Sequence, residues 1–307
     1  MHRHCSPERA AGINTPNQNM DPPPATRDGG SFLLETGHRF KAKLWKNRDM
    51  ELHSHLTEKT PRDTVLLAHG YAEHPGRYAP FIEYLNQQGA DVWTFDFAGH
   101  GNDPGRRATV NVGRLIRQHL EARQQLESEA RTPNLVLFGH SMGGLVTLAS
   151  SILDPTHLRA VVASGPALAP LPHVGSFAAK AGQLLGTWFP GLKSVNLDDN
   201  LLSHDPVAVQ AYREDPLVYR GRVPLLTGSS MVIQGSRVID NAGAVTVPTL
   251  ILHGSEDGLA SPEGSVRFTA GAPEGLVDFR LIDGDYHEIL NESDGDAVAA
   301  QISEWLW

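Results

Sequence analysis

The chain predicts an α/β protein, a mostly parallel sheet with helices on both faces and a helical cap inserted into it. Three observations carry this. Short apolar runs of strand type alternate with helical patterns over short links, as in a sheet covered on both sides. The alternation breaks at Pro166 and resumes at Val247. The interval is too long for a structureless loop in a compact domain, and its clustered Pro and Gly separate short apolar patches.

Each element follows from its own pattern. "SFLLETGHRFKAKLWK" predicts an edge hairpin turning at Thr36-Gly37-His38. "TVLLAHG" (Thr64–Gly70) predicts a buried strand, and "RYAPFIEYLNQQG" an amphipathic helix stopped by Gly89. "ADVWTFD" predicts a strand, followed by a long charge-rich helix from Val112 to about Arg131. "NLVLFGH", "SMGGLVTLASSIL" and "LRAVVASGP" read strand, helix, strand. After the interruption come the strands "VPTLILHG" and "LVDFRLID" and a last helix near Asp294–Trp305. The expected organisation is therefore a disordered tail over 1–30, a sheet domain over 31–166 and 242–307, and a cap over 167–241. The tail reading rests on polar composition, five prolines and no apolar core of the signal-peptide kind. Met20 is an alternative start that leaves the rest intact.

Composition narrows the function classes. The net charge of −9 argues against nucleic acid or an anionic membrane surface as the main partner. No apolar run is long enough for a membrane-spanning helix. The single cysteine, Cys5, excludes an intramolecular disulfide and fits a reducing, cytoplasmic setting. His2, His4 and Cys5 lack a fourth ligand, so no metal is expected.

The stretch "LVLFGHSMGGLVTL" (Leu135–Leu148) carries the chemistry. A Gly-x-Ser-x-Gly between strand and helix is a nucleophile elbow, with Ser141 exposed at a strained turn above the sheet. Gly139 and Gly143 are needed because strand and helix pass close together there. The following helix aims its free N–H groups at the serine, favouring a developing anion. A serine needs a base, and the base needs an acid to fix its tautomer. In this architecture the order is Ser, acid, His. Asp257, in "LILHGSEDGLASP", and His287, in "DFRLIDGDYHEIL", stand on loops after successive strands, where sites of open parallel sheets collect. Glu256, Asp283 and Asp285 are rival acids; His69, His140 and His253 are rival bases. Asp257 is preferred because its loop follows the strand before that of the histidine. The oxyanion requires backbone donors, expected from Met142, just after the serine, and from Tyr71 in "HGYAEHPGR".

Together, "LLAHGYAEHPGRYAPFIEYLNQQGADVWTFDFAGHGNDPGRRA", "GHSMGG", "SHDPVAVQAYREDPLVYRG" and "VPTLILHGSEDGLASPEGS…DGDYHEILNE" resemble the monoacylglycerol lipase and lysophospholipase branch of the α/β-hydrolase fold. The resemblance runs from Phe32 to the C-terminus. It implies a serine esterase, without cofactor, cleaving monoacylglycerols to glycerol and fatty acid through an acyl-enzyme on Ser141. It places the triad on Ser141, Asp257 and His287 and the oxyanion positions on Tyr71 and Met142. It also implies that Glu73 and Arg77 line the glycerol-binding end; an ion pair holding their loop is the other reading. The animal enzymes carry a second histidine three residues after the catalytic one, where this chain has Leu290.

In the cap, Phe177, Leu184, Leu185, Trp188 and Phe189 fall partly at helical intervals. They suit either packing on the sheet domain or transient contact with a lipid surface, peripheral to the membrane. Alternative activities are lysophospholipase and general carboxylesterase. An aminopeptidase would need acidic groups for a free amine, for which Asp198, Asp199 and Asp205 are candidates. A small-molecule receptor would keep the triad without turnover.

Overall fold

The computed structural model describes residues 50–169 and 176–307. The tail, the hairpin expected over Ser31–Lys46 and residues 170–175 of the expected cap lie outside the described residues.

Among the described residues, seven strands form one sheet: β1 (His53–His55), β2 (Asp63–Ala68), β3 (Ala90–Thr94), β4 (Leu135–His140), β5 (Leu158–Ser164), β6 (Thr249–Gly254) and β7 (Val277–Ile282). Their spatial order is β1-β3-β2-β4-β5-β6-β7, and only β1, at the edge, runs antiparallel to its neighbour. Alternate residues of the inner strands feed two apolar layers. Leu66, Leu137, Val161 and Ile251 point to one; Val65, Leu67, Val136, Phe138, Val162 and Leu250 point to the other. That two-sided burial explains why these strands read as continuous apolar runs.

The helices beside the sheet begin and end for local reasons. Helix α1 (Ala79–Gln88) stops at Gly89, whose φ of 91° is left-handed and whose N–H reaches back to the Leu85 and Asn86 carbonyls. A 3₁₀ turn over Pro75–Tyr78 precedes it, so the α-helix begins two residues later than the sequence suggests. Helix α2 (Val112–Leu126) is capped by the Asn111 side chain, which accepts from the Gly113 N–H. It ends at Leu126, short of Arg131, which donates to the buried Asp91 carboxylate at the start of β3 at 2.7 Å. Helix α3 (Met142–Leu153) follows the elbow.

The segment after β5 contains α4 (Ser176–Trp188), α5 (Pro206–Glu214) and α6 (Leu225–Asp240). Helices α4 and α6 pack closely: a Cβ on Gly186 would lie 2.5 Å from the Leu226 nitrogen. At its far end α6 reaches the sheet domain, where Val238 is fully buried in the first apolar layer. Helix α7 (Pro262–Gly271), unforeseen from sequence, joins β6 to β7. Helix α8 (Gly295–Leu306) buries Val298, Ile302 and Leu306 in the second layer. The Arg159 guanidinium at 2.5 Å and the Trp307 indole N–H both donate to Asp63 at the start of β2, fastening the end of α8.

Phe138 lies 4.8 Å from the Phe81 ring, in the layer beneath α1. Phe138→Ala is expected to cost roughly 3–5 kcal/mol, read as a lower urea midpoint at unchanged slope.

Candidate active site

The register brings the loops together. Ala68 pairs with Gly139, so the ends of β2 and β4 are level and their loops lie side by side. Between β4 and α3, Ser141 holds φ 53° and ψ −118°, a conformation rare outside glycine. Neighbouring glycines make the turn possible. A Cβ on Gly143 would lie 2.1 Å from the Ala68 carbonyl oxygen, and one on Gly139 would lie 2.4 Å from the Gly143 carbonyl oxygen. The turn is fixed by the Ser141 N–H donating to the Ser164 carbonyl at 2.9 Å and by the Ala167 N–H donating to the Ser141 carbonyl at 3.0 Å.

Three of the residues singled out from sequence meet here. His287 Nε2 is 2.8 Å from Ser141 Oγ, and its Nδ1 is 2.6 Å from Asp257 Oδ2. A carboxylate only accepts, so Nδ1 carries the proton and Nε2 is free to accept from the serine hydroxyl. Both His287 and Asp257 are buried. Burial alone would raise the Asp257 carboxyl, but the His287 charge and hydrogen bonds from His253 and His287 outweigh it and hold it well below the usual carboxylate range. Burial opposes the His287 imidazolium too, yet the Asp257 charge and hydrogen bond raise it above the ordinary 6.5. Ionised Asp257 beside a histidine of raised basicity is the state that general-base catalysis requires.

The two amides expected to serve as oxyanion donors belong to the turn at Ser141 and to the loop after β2. Met142 opens α3, so its N–H has no carbonyl four residues back. The Gly70 N–H is occupied, donating to Glu73 Oε1 at 2.5 Å, and Tyr71 supplies the next amide of that loop. A Cβ on Gly70 would lie 3.3 Å from the Ser141 Cβ, so the loop runs directly past the serine.

Glu73 and Arg77 are brought together, 2.5 Å apart, in a buried cluster. Glu73 also accepts from the Tyr78 hydroxyl at 2.6 Å. Arg77 makes a two-pronged pair with Glu288, at 2.6 and 2.7 Å, beneath the Tyr212 ring of α5. Glu288 escaped the sequence reading, as did Glu292. The latter accepts from Ser203 Oγ, the His204 N–H and the Tyr286 N–H at 2.9–3.0 Å. Their only signal was the string "HEILNE", with carboxylates one and five residues after the histidine.

The rival histidines His69 and His140 are neutral, buried groups. His69 Nδ1 donates to the Gly70 carbonyl at 2.8 Å and its Nε2 accepts from the Phe97 N–H; burial holds it neutral, pushed down to about 3. His140 is likewise buried and pushed down to about 4. Glu256 and Asp283 make no bond to His287 among the described residues. Asp198 and Asp205 cap the starts of short helices, while Asp199 pairs with Arg213 and Arg220. Leu290 packs against the second apolar layer. His2, His4 and Cys5 lie outside the described residues.

A level parallel sheet, a strained serine elbow and a histidine between serine and aspartate define a serine hydrolase of the α/β-hydrolase class. Residues 59–294 match the Hydrolase_4 family, described as serine aminopeptidase, S33. A monoacylglycerol lipase of Mycolicibacterium smegmatis is 33% identical over 92% of this chain and 98% of its own length. The monoglyceride lipase of Rattus norvegicus is 27% identical over 80% of this chain and 83% of its own. The crystal structure of Paleococcus ferrophilus monoacylglycerol lipase superposes with a TM-score of 0.76 at 35% identity, covering 84% of this chain and 98% of that one. The chain belongs to this family and is a carboxylic ester hydrolase. Among the described residues, no helix is long and apolar enough to cross a membrane.

The raised His287 basicity has a pH signature. The base acts only when unprotonated, so kcat/KM is expected to fall as pH drops through a single ionisation lying above 6.5. A pH–rate profile checks this. Asp257→Asn, which removes the charge that raises His287, should lower the plateau and move the limb downward.

Proposed function

We propose that the protein hydrolyses monoacylglycerols to glycerol and a fatty acid, with Ser141 as nucleophile. The observation that carries this is the Ser141–His287–Asp257 hydrogen-bond chain in a protein similar along most of its length to monoacylglycerol lipases. In the first half-reaction His287 Nε2 takes the Ser141 hydroxyl proton as Oγ attacks the ester carbonyl carbon. The tetrahedral oxyanion is held by the Tyr71 and Met142 amides, each worth on the order of 3 kcal/mol. Collapse breaks the bond to glycerol oxygen, which leaves with the proton from His287. Water then attacks the acyl-enzyme, giving a proton to His287, which passes it to Ser141 Oγ as the bond to the acyl group breaks and the fatty acid is released. No step calls for a cofactor.

Glu73 and Arg77 serve this reading chiefly as the frame of the oxyanion loop, since their charged groups satisfy one another, Gly70 and Glu288. The segment 167–241 acts as a cap over the site. The Tyr219 N–H donates to the Ala72 carbonyl at 2.8 Å, tying it to the oxyanion loop. In and just after α4, Leu184, Leu185, Trp188, Phe189 and Leu192 are exposed, Trp188 by 75%. Such a patch suits contact with an aggregated lipid substrate, by hydrophobic rather than electrostatic attraction given the charge of −9. A cytoplasmic enzyme meeting membranes only at their surface fits this arrangement.

Release of glycerol and fatty acid from a monoacylglycerol, beside a matched lysophospholipid, tests the substrate. Turnover favouring the monoacylglycerol is expected, falling roughly a millionfold or to background in Ser141→Ala. Preference for the lysophospholipid would leave the mechanism and move the substrate. For the cap, Trp188→Ser with Phe189→Ser should weaken flotation with neutral vesicles severalfold, with no added sensitivity to salt. Hydrolysis of a short, dispersed ester should be unchanged.

A further inference from the structure

Asp257 is shared between two histidines. Its Oδ1 accepts from the Leu259 and Ala260 N–H groups, at 2.8 and 2.9 Å. Its Oδ2 lies 2.6 Å from His287 Nδ1 and 3.1 Å from His253 Nε2. His253 stands near the end of β6, fully buried, four residues before the aspartate. The protonation of its ring follows from its surroundings. Nε2 faces two pure acceptors, the Asp257 carboxylate and the Ala260 carbonyl at 2.9 Å, so it carries a hydrogen. Nδ1, 2.8 Å from Ser265 Oγ at the buried face of α7, then accepts from that hydroxyl. Ser265 thus holds one end of the imidazole, and the other end, bonded to the Ala260 carbonyl, faces the carboxylate Oδ2 at 3.1 Å.

We propose that His253 is a positioning residue for the reaction, its Nε2–H holding Asp257 Oδ2 in line with His287 Nδ1. This rests on the triad reading given above. Without that donor, Oδ2 keeps only the His287 hydrogen bond, while Oδ1 stays held by the Leu259 and Ala260 amides. The negative charge is then less shared, so it grips the His287 proton more tightly. Other titratable groups facing His287 are His140, whose ring is 4.8 Å away, and Glu73 and Glu288, whose charges also raise it. None of them is altered by a change at position 253.

Two amide substitutions separate the bonds that His253 makes. His253→Gln can carry an N–H to the place of Nε2, whereas His253→Asn reaches only as far as Nδ1 and keeps the Ser265 side. The His253→Gln profile is expected to follow wild type. His253→Asn should move the acid limb of kcat/KM upward by roughly half to one pH unit and lower plateau kcat about tenfold, with KM within about twofold. Ser141→Ala and thermal melts are run in parallel on all variants. An acid limb at the wild-type position in folded His253→Asn overturns the proposal and leaves His253 a packing residue. So does a shift of equal size in both variants. Turnover surviving in Ser141→Ala would instead overturn the triad reading beneath it. If His253→Asn melts below assay temperature, Ser265→Val provides the second case. It removes the support at Nδ1 without touching Asp257, and a smaller upward shift is expected; none would refute the proposal.

Discussion

The site depends on one close approach, that of α3 to the ends of β2 and β4. Gly143 lies against the Ala68 and His69 carbonyls with no room for a methyl group, and Gly139 lies against Gly143 in turn. Only at this distance can the chain turn from strand to helix in one residue, which forces Ser141 into positive φ and lifts Oγ clear of the sheet. The same approach sets the Met142 amide beside the loop of Tyr71. Ser141, the Met142 amide and the Tyr71 loop are therefore positioned by backbone packing, whereas His287 and Asp257 meet the serine through their side chains.

Around this centre, buried carboxylates join loops that the sheet alone would leave independent. Arg77 connects Glu73, which holds the Gly70 amide, to Glu288, next to His287. Glu292 connects Tyr286, on the other side of His287, to Ser203 and His204 in the cap. His287 is thus braced on both flanks, once to the loop of Gly70 and Glu73 and once to Ser203 and His204. Buried pairs of this kind add little net stability over apolar packing, but removing one partner strands the other in low dielectric. Their contribution here is geometric.

Burial sorts the histidines by role. His69 and His140 lose their charge to desolvation and act as neutral struts, held near 3 and 4. His287 is equally buried but faces an ionised aspartate, and its basicity rises. The same residue type takes opposite states within one site, according to which term exceeds the other.

Much of this was legible in the sequence. Apolar runs and Gly stops predict six of the strands described, because burial on both faces leaves a local pattern. The elbow is legible because close packing demands glycine at fixed spacing, and chain order then narrows the acid and base to Asp257 and His287. Strand β1 was missed since three half-exposed residues carry no periodicity, and α7 because its pattern is short. The sequence could not say whether Glu73 and Arg77 face a ligand or one another. Nor could it say that Glu288, 211 residues away, completes their cluster, or that His253 shares Asp257. Local pattern records what each residue needs along its own strand or helix. Which charges neutralise which, across loops distant in sequence, is decided only when the sheet brings strand ends level and burial makes an unpaired charge costly.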